Sequence, residues 1–213
     1  LHVLHITTEE ELQLFEAGNN RITAEACVHH LWFEDLSYST LGSLIKCNPA
    51  IKKASDRDAI RNAVANGRIS ILATDHAPHT WEEKQGNYFN APSGLPLIQH
   101  TLLLMLEMCE QECFTIETVV ERACHAPARL FQVEERGYLR EGYWADIVIV
   151  DPNKHTTVEK TELFSKCQWS PFPHMTFTNL IEATIVSGEI AYQKGQTNIA
   201  CRGKRVNFSN LRR

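Results

Sequence analysis

The run Ile69-Ser70-Ile71-Leu72-Ala73-Thr74 is apolar almost throughout and stops abruptly at Asp75. A strand that is apolar on both faces must be covered on both faces. That is the habit of a parallel sheet flanked by helices, not of a half-solvated antiparallel one. The segments around it agree. Strands are expected at 2–6, 22–31, 44–47 and 69–74. Between the first two, Thr8 with Glu11 three residues on makes a capping box ahead of Leu12, Leu14 and Phe15, and Gly18 ends the helix. Before the last, Ser55 and Asp58 open a helix whose Ile60, Ala63 and Val64 face inward and which Gly67 stops. Strands separated by helices imply parallel pairing through right-handed crossovers.

A polar loop follows at 76–94, rich in Pro, Gly and Asn, and then two helices at about 96–111 and 115–125. From residue 137 the texture changes. Gly142-Tyr143-Trp144-Ala145-Asp146-Ile147-Val148-Ile149-Val150-Asp151 reads as a tight turn into a strand. The stretch Ile181–Tyr192 alternates and breaks at Ser187-Gly188, a hairpin signal. The expected division is therefore an α/β body at 1–136 and a β-rich segment at 137–213.

Composition narrows the function. Apolar residues make up 43% of 213, enough for a real core, and the net charge of −5 with no basic run along the body excludes a nucleic-acid partner. The longest apolar run, Leu102–Leu106, is far shorter than the ~20 residues a membrane span needs. Seven cysteines occur without a Cys-x-x-Cys pair, which reads as reduced thiols of a cytoplasmic protein, with Cys109 and Cys113 half-buried on a helix. The chain also opens inside a strand, at Leu1-His2-Val3-Leu4-His5-Ile6, which reads as part of something longer.

Three polar residues stand where apolar strands end: His5, His29 and Asp75. In a parallel barrel such ends converge on one face, where active sites lie. Two imidazoles and a carboxylate suit a divalent metal of the Zn²⁺ kind. His30 is expected to point to the opposite face from His29, and His2 takes no ligand role. The segment Ala73-Thr74-Asp75-His76-Ala77-Pro78-His79 is the most specific signal, because Pro78 holds His79 at a set distance from Asp75. A carboxylate there would accept a proton from an attacking water and later return it to a leaving nitrogen.

That segment resembles the signature of bacterial dihydroorotases, within the cyclic amidohydrolase superfamily. Val3-Leu4-His5-Ile6-Thr7-Thr8, Glu25-Ala26-Cys27-Val28-His29-His30-Leu31, Lys46-Cys47-Asn48-Pro49-Ala50-Ile51-Lys52, Ala91-Pro92-Ser93-Gly94-Leu95 and the C-terminal Gly142–Val148 and Val186–Glu189 resemble other family segments, in collinear order. Val28 stands where the family usually has Pro. The resemblance implies an α/β fold: the C-terminal half of a (β/α)8 TIM-type barrel, strands 5–8, plus part of a small β-sandwich. It implies His5, His29 and Asp75 as metal ligands, with Asp75 also the catalytic acid/base. Asn48, His79, Ser93 and Gly94 would contact substrate.

The implied reaction is the reversible, zinc-dependent cyclisation of N-carbamoyl-L-aspartate to dihydroorotate in pyrimidine biosynthesis, with one or two Zn²⁺ ions. The resemblance also implies a cytoplasmic homodimer with no nucleic-acid or membrane partner. Family members carry a His-x-His pair on strand 1 and a bridging carboxylate on strand 4. This sequence has no His-x-His. The N-terminal half of the barrel is therefore an expected partner, without which the chain should be inactive. Two other readings stay open: another cyclic amidohydrolase such as an allantoinase or dihydropyrimidinase, and a non-catalytic scaffold subunit.

Overall fold

The computed structural model describes residues 1–19 and 21–209. Three short strands, β1 (His2–Val3), β2 (Thr23–Cys27) and β3 (Ile71–Ala73), form one parallel sheet in the order β1-β2-β3. The register pairs Val3 with Ala24 and Cys27 with Ala73. Helices α1 (Val28–Trp32), α2 (Tyr38–Leu41) and α3 (Ala54–Ala65) lie between β2 and β3. After β3 come α4 (Trp81–Lys84), α5 (Thr101–Glu110), α6 (Ile116–Val120) and α7 (Ala126–Leu130).

Local chemistry explains most of these elements. The inward row of α3 is as expected: Ile60, Ala63 and Val64 are buried, and Gly67 beyond its end has a φ of +86°. Such a left-handed residue suits glycine because it carries no Cβ penalty. The Thr8–Glu11 box also forms, with Glu11 accepting from the Thr8 amide at 2.9 Å and the Glu11 amide donating to Thr8 Oγ1 at 3.3 Å. What it opens is only a 3-10 turn, Glu10–Leu14. The run expected at 96–111 begins as a 3-10 turn at Ile98–His100 and becomes α-helical at Thr101. The run expected at 115–125 starts with Thr115 accepting from the Thr118 amide and passes through a π-helical turn at Glu121–His125 into α7.

Two strand expectations are corrected. The stretch 22–31 divides, because the chain leaves the sheet at Cys27 and coils into α1. The stretch 44–47 pairs with no strand among the described residues. Residues Gly42–Ile45 form a 3-10 turn. The Lys46 carbonyl then accepts from the Gly94 amide at 2.9 Å and from Lys84 Nζ at 3.2 Å. A backbone group already bonded to a loop is not available to a ladder, and β2 pairs directly with β3.

The C-terminal segment supplies an antiparallel sheet, β4 (Ile147–Asp151), β7 (Leu180–Val186), β8 (Glu189–Gln193) and β9 (Gln196–Thr197), in the order β4-β7-β8-β9. A small pair, β5 (Thr156–Thr157) with β6 (Thr176–Phe177), precedes β7. The hairpin at Ser187-Gly188 is present, with φ of +53° and +88° and Val186 opposite Glu189, as a two-residue primed turn requires. Val158, Phe172 and Phe177 are buried in the same apolar cluster as Val28, Leu31, Leu104 and Met108. Glu107 of α5 accepts from the Thr178 amide and hydroxyl at 3.0 and 2.9 Å. The stretch from Val158 to Thr178, β6 included, is thus packed onto the parallel sheet's helices.

One staple in this fold is a buried lysine. Lys84 is 0% exposed, and its ammonium donates to the carbonyls of Lys46, Pro92 and Gly94 at 3.2, 3.0 and 3.0 Å. Burial pushes its pKa down to about 8. Lys46 Nζ adds two bonds to the same loop, to the Tyr88 and Ala91 carbonyls at 2.6 Å each. Gly94 completes the clasp with a φ of +134°. A Cβ there would lie 2.4 Å from the Ala77 carbonyl oxygen.

Two outcomes follow. Gly94→Ala should cost about 1–3 kcal/mol of stability through forced backbone and a hard contact, read as a lower urea midpoint. For Lys84, the folded pKa lies below the unfolded one, so the unfolded chain binds the extra proton between pH 8 and about 10.5. The cost of burying the charge is therefore full below pH 8 and is relieved as pH rises. The wild-type urea midpoint should climb relative to that of Lys84→Met across this window, and parallel profiles would refute the assignment.

Candidate active site

Parallel pairing sends the ends of β1, β2 and β3 to one edge of the sheet. His5 lies two residues past β1, His29 is the second residue of α1 just past β2, and Asp75 lies two residues past β3. His5 and Asp75 both have left-handed backbones, with φ of +39° and +48°. Such conformations in non-glycine residues cost about 1–3 kcal/mol each and cluster where function demands a fixed side-chain direction.

The electrostatics show which groups feel one another. His29 is 0% exposed, and neither ring nitrogen has a hydrogen-bond partner. Burial, reinforced by His30 and His5, holds its pKa well below the usual histidine range. A neutral imidazole, with a free lone pair on one ring nitrogen, is the form that binds a metal. Burial raises the pKa of Asp75, which is opposed by His5 and assisted by Glu25. His5 thus acts electrostatically on both His29 and Asp75.

His5, His29 and Asp75 are not the group of ligand atoms that the structure gathers most closely. Among the described residues, the group whose ligand atoms all lie within 4.8 Å of one another is His29, His30 and Cys47. The His30 ring does not point away from His29: their centroids are 4.0 Å apart. The cause is the early end of β2. Adjacent residues on a helix lie about 100° apart rather than on opposite faces. His30 Nε2 bonds the Pro49 carbonyl at 2.9 Å, and Cys47 Sγ donates to the same oxygen at 3.1 Å. Burial pushes the Cys47 thiol up to about 12.

The remaining residues sit in the loop after β3. His79 Nε2 lies 3.0 Å from the Ser93 carbonyl, and its Nδ1 lies 3.7 Å from Glu83. Trp169 Nε1 donates to the His79 carbonyl at 2.7 Å. Asn48 is exposed on the segment that His30 grips. Gly94 has both backbone groups engaged, its amide with Lys46 and its carbonyl with Lys84. The structure therefore shapes this glycine as part of the loop's clasp. His76 is also structural, since its Nδ1 accepts from the amides of Leu97 and Ile98 at 2.9 and 3.2 Å. His2 bonds Thr23 and Glu25 at 2.9 and 3.1 Å and stays outside the cluster.

Sequence reasoning missed Lys84, Trp169 and the His30–Cys47–Pro49 arrangement. Lys84 falls in the stretch 76–94 expected as a polar loop, where a lysine reads as solvated, and the structure puts it at the end of α4. Trp169 is 90 residues from the group it bonds. A separate cavity of about 880 Å³, lined by His100, Leu103, Val158, Glu182 and Tyr192 among others, holds none of the expected site residues.

Comparison with known proteins agrees with this architecture. Residues 2–191 match the model of the amidohydrolase family. The chain is 35% identical over 172 residues to the dihydroorotase of Halobacterium salinarum, covering 81% of this chain and 40% of that protein. It is 33% identical over 199 residues to the dihydroorotase of Bacillus pumilus, covering 92% and 46%. Among solved structures, the L-hydantoinase (dihydropyrimidinase) of Arthrobacter aurescens matches with a TM-score of 0.86 at 25% identity, over 93% of this chain and 46% of that one. The D-hydantoinase (dihydropyrimidinase) of a Thermus species matches with a TM-score of 0.84 at 21% identity, over 92% and 45%. The chain thus spans less than half the length of these relatives, and its fold is a partial TIM-type barrel with an added β-sheet. With its β-strand ends, its loop after Asp75 and its matched span of 2–191, the chain belongs to the amidohydrolase family.

Proposed function

We propose that this chain is the C-terminal part of a zinc-dependent dihydroorotase. Residues 1–136 would be the second half of the barrel, and 137–213 part of the sandwich. The observation that carries the reading is the shared sheet edge bearing His5, His29 and Asp75, with both ring nitrogens of His29 buried and unpartnered. Two imidazoles and a carboxylate are donors suited to a divalent cation, which His5, His29 and Asp75 would hold. When bound, that ion polarises a carbonyl and acidifies water.

The chain's own groups perform the rest. Asp75 takes a proton from the attacking water and delivers it to the ring nitrogen as the amide bond breaks. Burial makes its carboxylate a better base than a solvated one. His79 meets the substrate carboxylate by exchanging its bond to the Ser93 carbonyl, and the exposed Asn48 is a second contact. Seven free thiols support a reducing, cytoplasmic setting. No helix among the described residues is long and apolar enough to cross a membrane. An N-terminal half-barrel would supply the remaining ligands.

The neighbouring hydantoinase structures keep a second reading in view, a cyclic amidohydrolase for hydantoins or dihydropyrimidines. His79 and Asn48 favour a substrate that carries a carboxylate. The test uses the purified chain with zinc, alone and reconstituted with the N-terminal half of a dihydroorotase. Dihydroorotate hydrolysis should be absent or marginal alone and restored on reconstitution, and Asp75→Asn should then lower kcat by about 10²–10⁴-fold. Faster turnover of hydantoin would favour the second reading. A reconstituted complex that retains no metal would favour a scaffold.

A further inference from the structure

We propose that His29, His30 and Cys47 form a capture site for a thiophilic metal ion, whose occupation disables the His5–His29–Asp75 centre. The three side chains are 0%, 3% and 4% exposed, and their ligand atoms lie within 4.8 Å of one another. Cys47 Sγ and His30 Nε2 are 3.7 Å apart. A tetrahedral ion with bonds of about 2.0–2.1 Å to nitrogen and about 2.3 Å to sulfur sets such a pair about 3.6 Å apart. His29 breaks no hydrogen bond to join, since neither of its ring nitrogens has one.

His30 Nδ1 is also unpartnered, so it holds the ring proton when Nε2 turns to the ion. The Pro49 carbonyl loses its two donors in exchange. The step balances without redox change: the Cys47 S–H bond breaks, an S–metal bond forms and the proton passes to solvent. Two imidazoles and one thiolate select soft or borderline ions such as Cd²⁺, Hg²⁺ or Zn²⁺ over Mg²⁺ or Ca²⁺. Because His29 is common to both sites, an ion held here withdraws a ligand from the other. The capture site rests on these three side chains; its competition with the His5–His29–Asp75 centre rests on the reading proposed above.

The test titrates Cd²⁺ into the full 213-residue chain. Cadmium NMR and thiolate-to-metal absorption report the ligand set. One Cd²⁺ per chain is expected, with one sulfur ligand beside nitrogen ligands. Cys47→Ser should erase the sulfur signature and weaken binding at least about tenfold. His30→Gln should weaken binding too, whereas Cys124→Ser, at an exposed thiol, should leave it intact. If Cys47→Ser does not fold, the wild-type signature and His30→Gln decide. A sulfur-free signature, a sulfur signature that survives Cys47→Ser, or no retained cadmium overturns the proposal. A sulfur-free signature abolished by His5→Ala would do so while supporting the His5–His29–Asp75 centre, so the two readings fail separately.

Discussion

The parallel registry of β1, β2 and β3 is the constraint on which the site depends. The backbone amide of Ile6 reaches the Glu25 carbonyl at 2.9 Å, which continues the β1–β2 alignment past the strand end. Because all three strands run the same way, their exits lie on one edge, and residues far apart in sequence share it. A slip of one residue would turn every side chain of a strand to the other face. The buried Ala24 and Ala26 on one face of β2 and Cys27 on the other leave little tolerance for that. The left-handed φ at His5 and at Asp75 then aims two side chains that an extended backbone would send elsewhere.

The second layer of organisation is the loop after β3. It is held by two ammonium groups bonded to backbone carbonyls rather than to carboxylates. Carbonyl acceptors let Lys84 keep its hydrogen bonds in a buried place without a second charge to desolvate. Lys84 also lies 5.9 Å from the centre of the Trp169 ring. The same Trp169 bonds the His79 backbone. The C-terminal segment therefore contributes to the geometry around Asp75, although it carries none of the expected catalytic side chains.

Much of this was legible in the sequence where a local rule applied. The inward row of α3, the Thr8–Glu11 box and the Ser187-Gly188 turn depend on residues within a few positions of each other, and all three form. The expected strand at 44–47 failed because the bonding partners of Lys46 are Gly94 and Lys84, about 40 residues away. The strand expected at 22–31 ran too long because Val28-His29-His30-Leu31 is compatible with either a buried strand or a buried helix. That error also set His30 on the wrong side of the chain from His29.

The sequence by itself determined the alternation of strands and helices, the positions of the polar strand ends and the family motifs around Asp75. These are properties of periodicity and local order, which short-range sterics and hydrophobic burial impose on any chain with this pattern. Only the tertiary structure decided that His29 is buried without a partner, that His30 and Cys47 converge on the Pro49 carbonyl, and that Lys84 is a clasp rather than a surface charge. Each of these depends on groups brought together by packing across long separations, and no local rule encodes which distant carbonyl a buried donor will find.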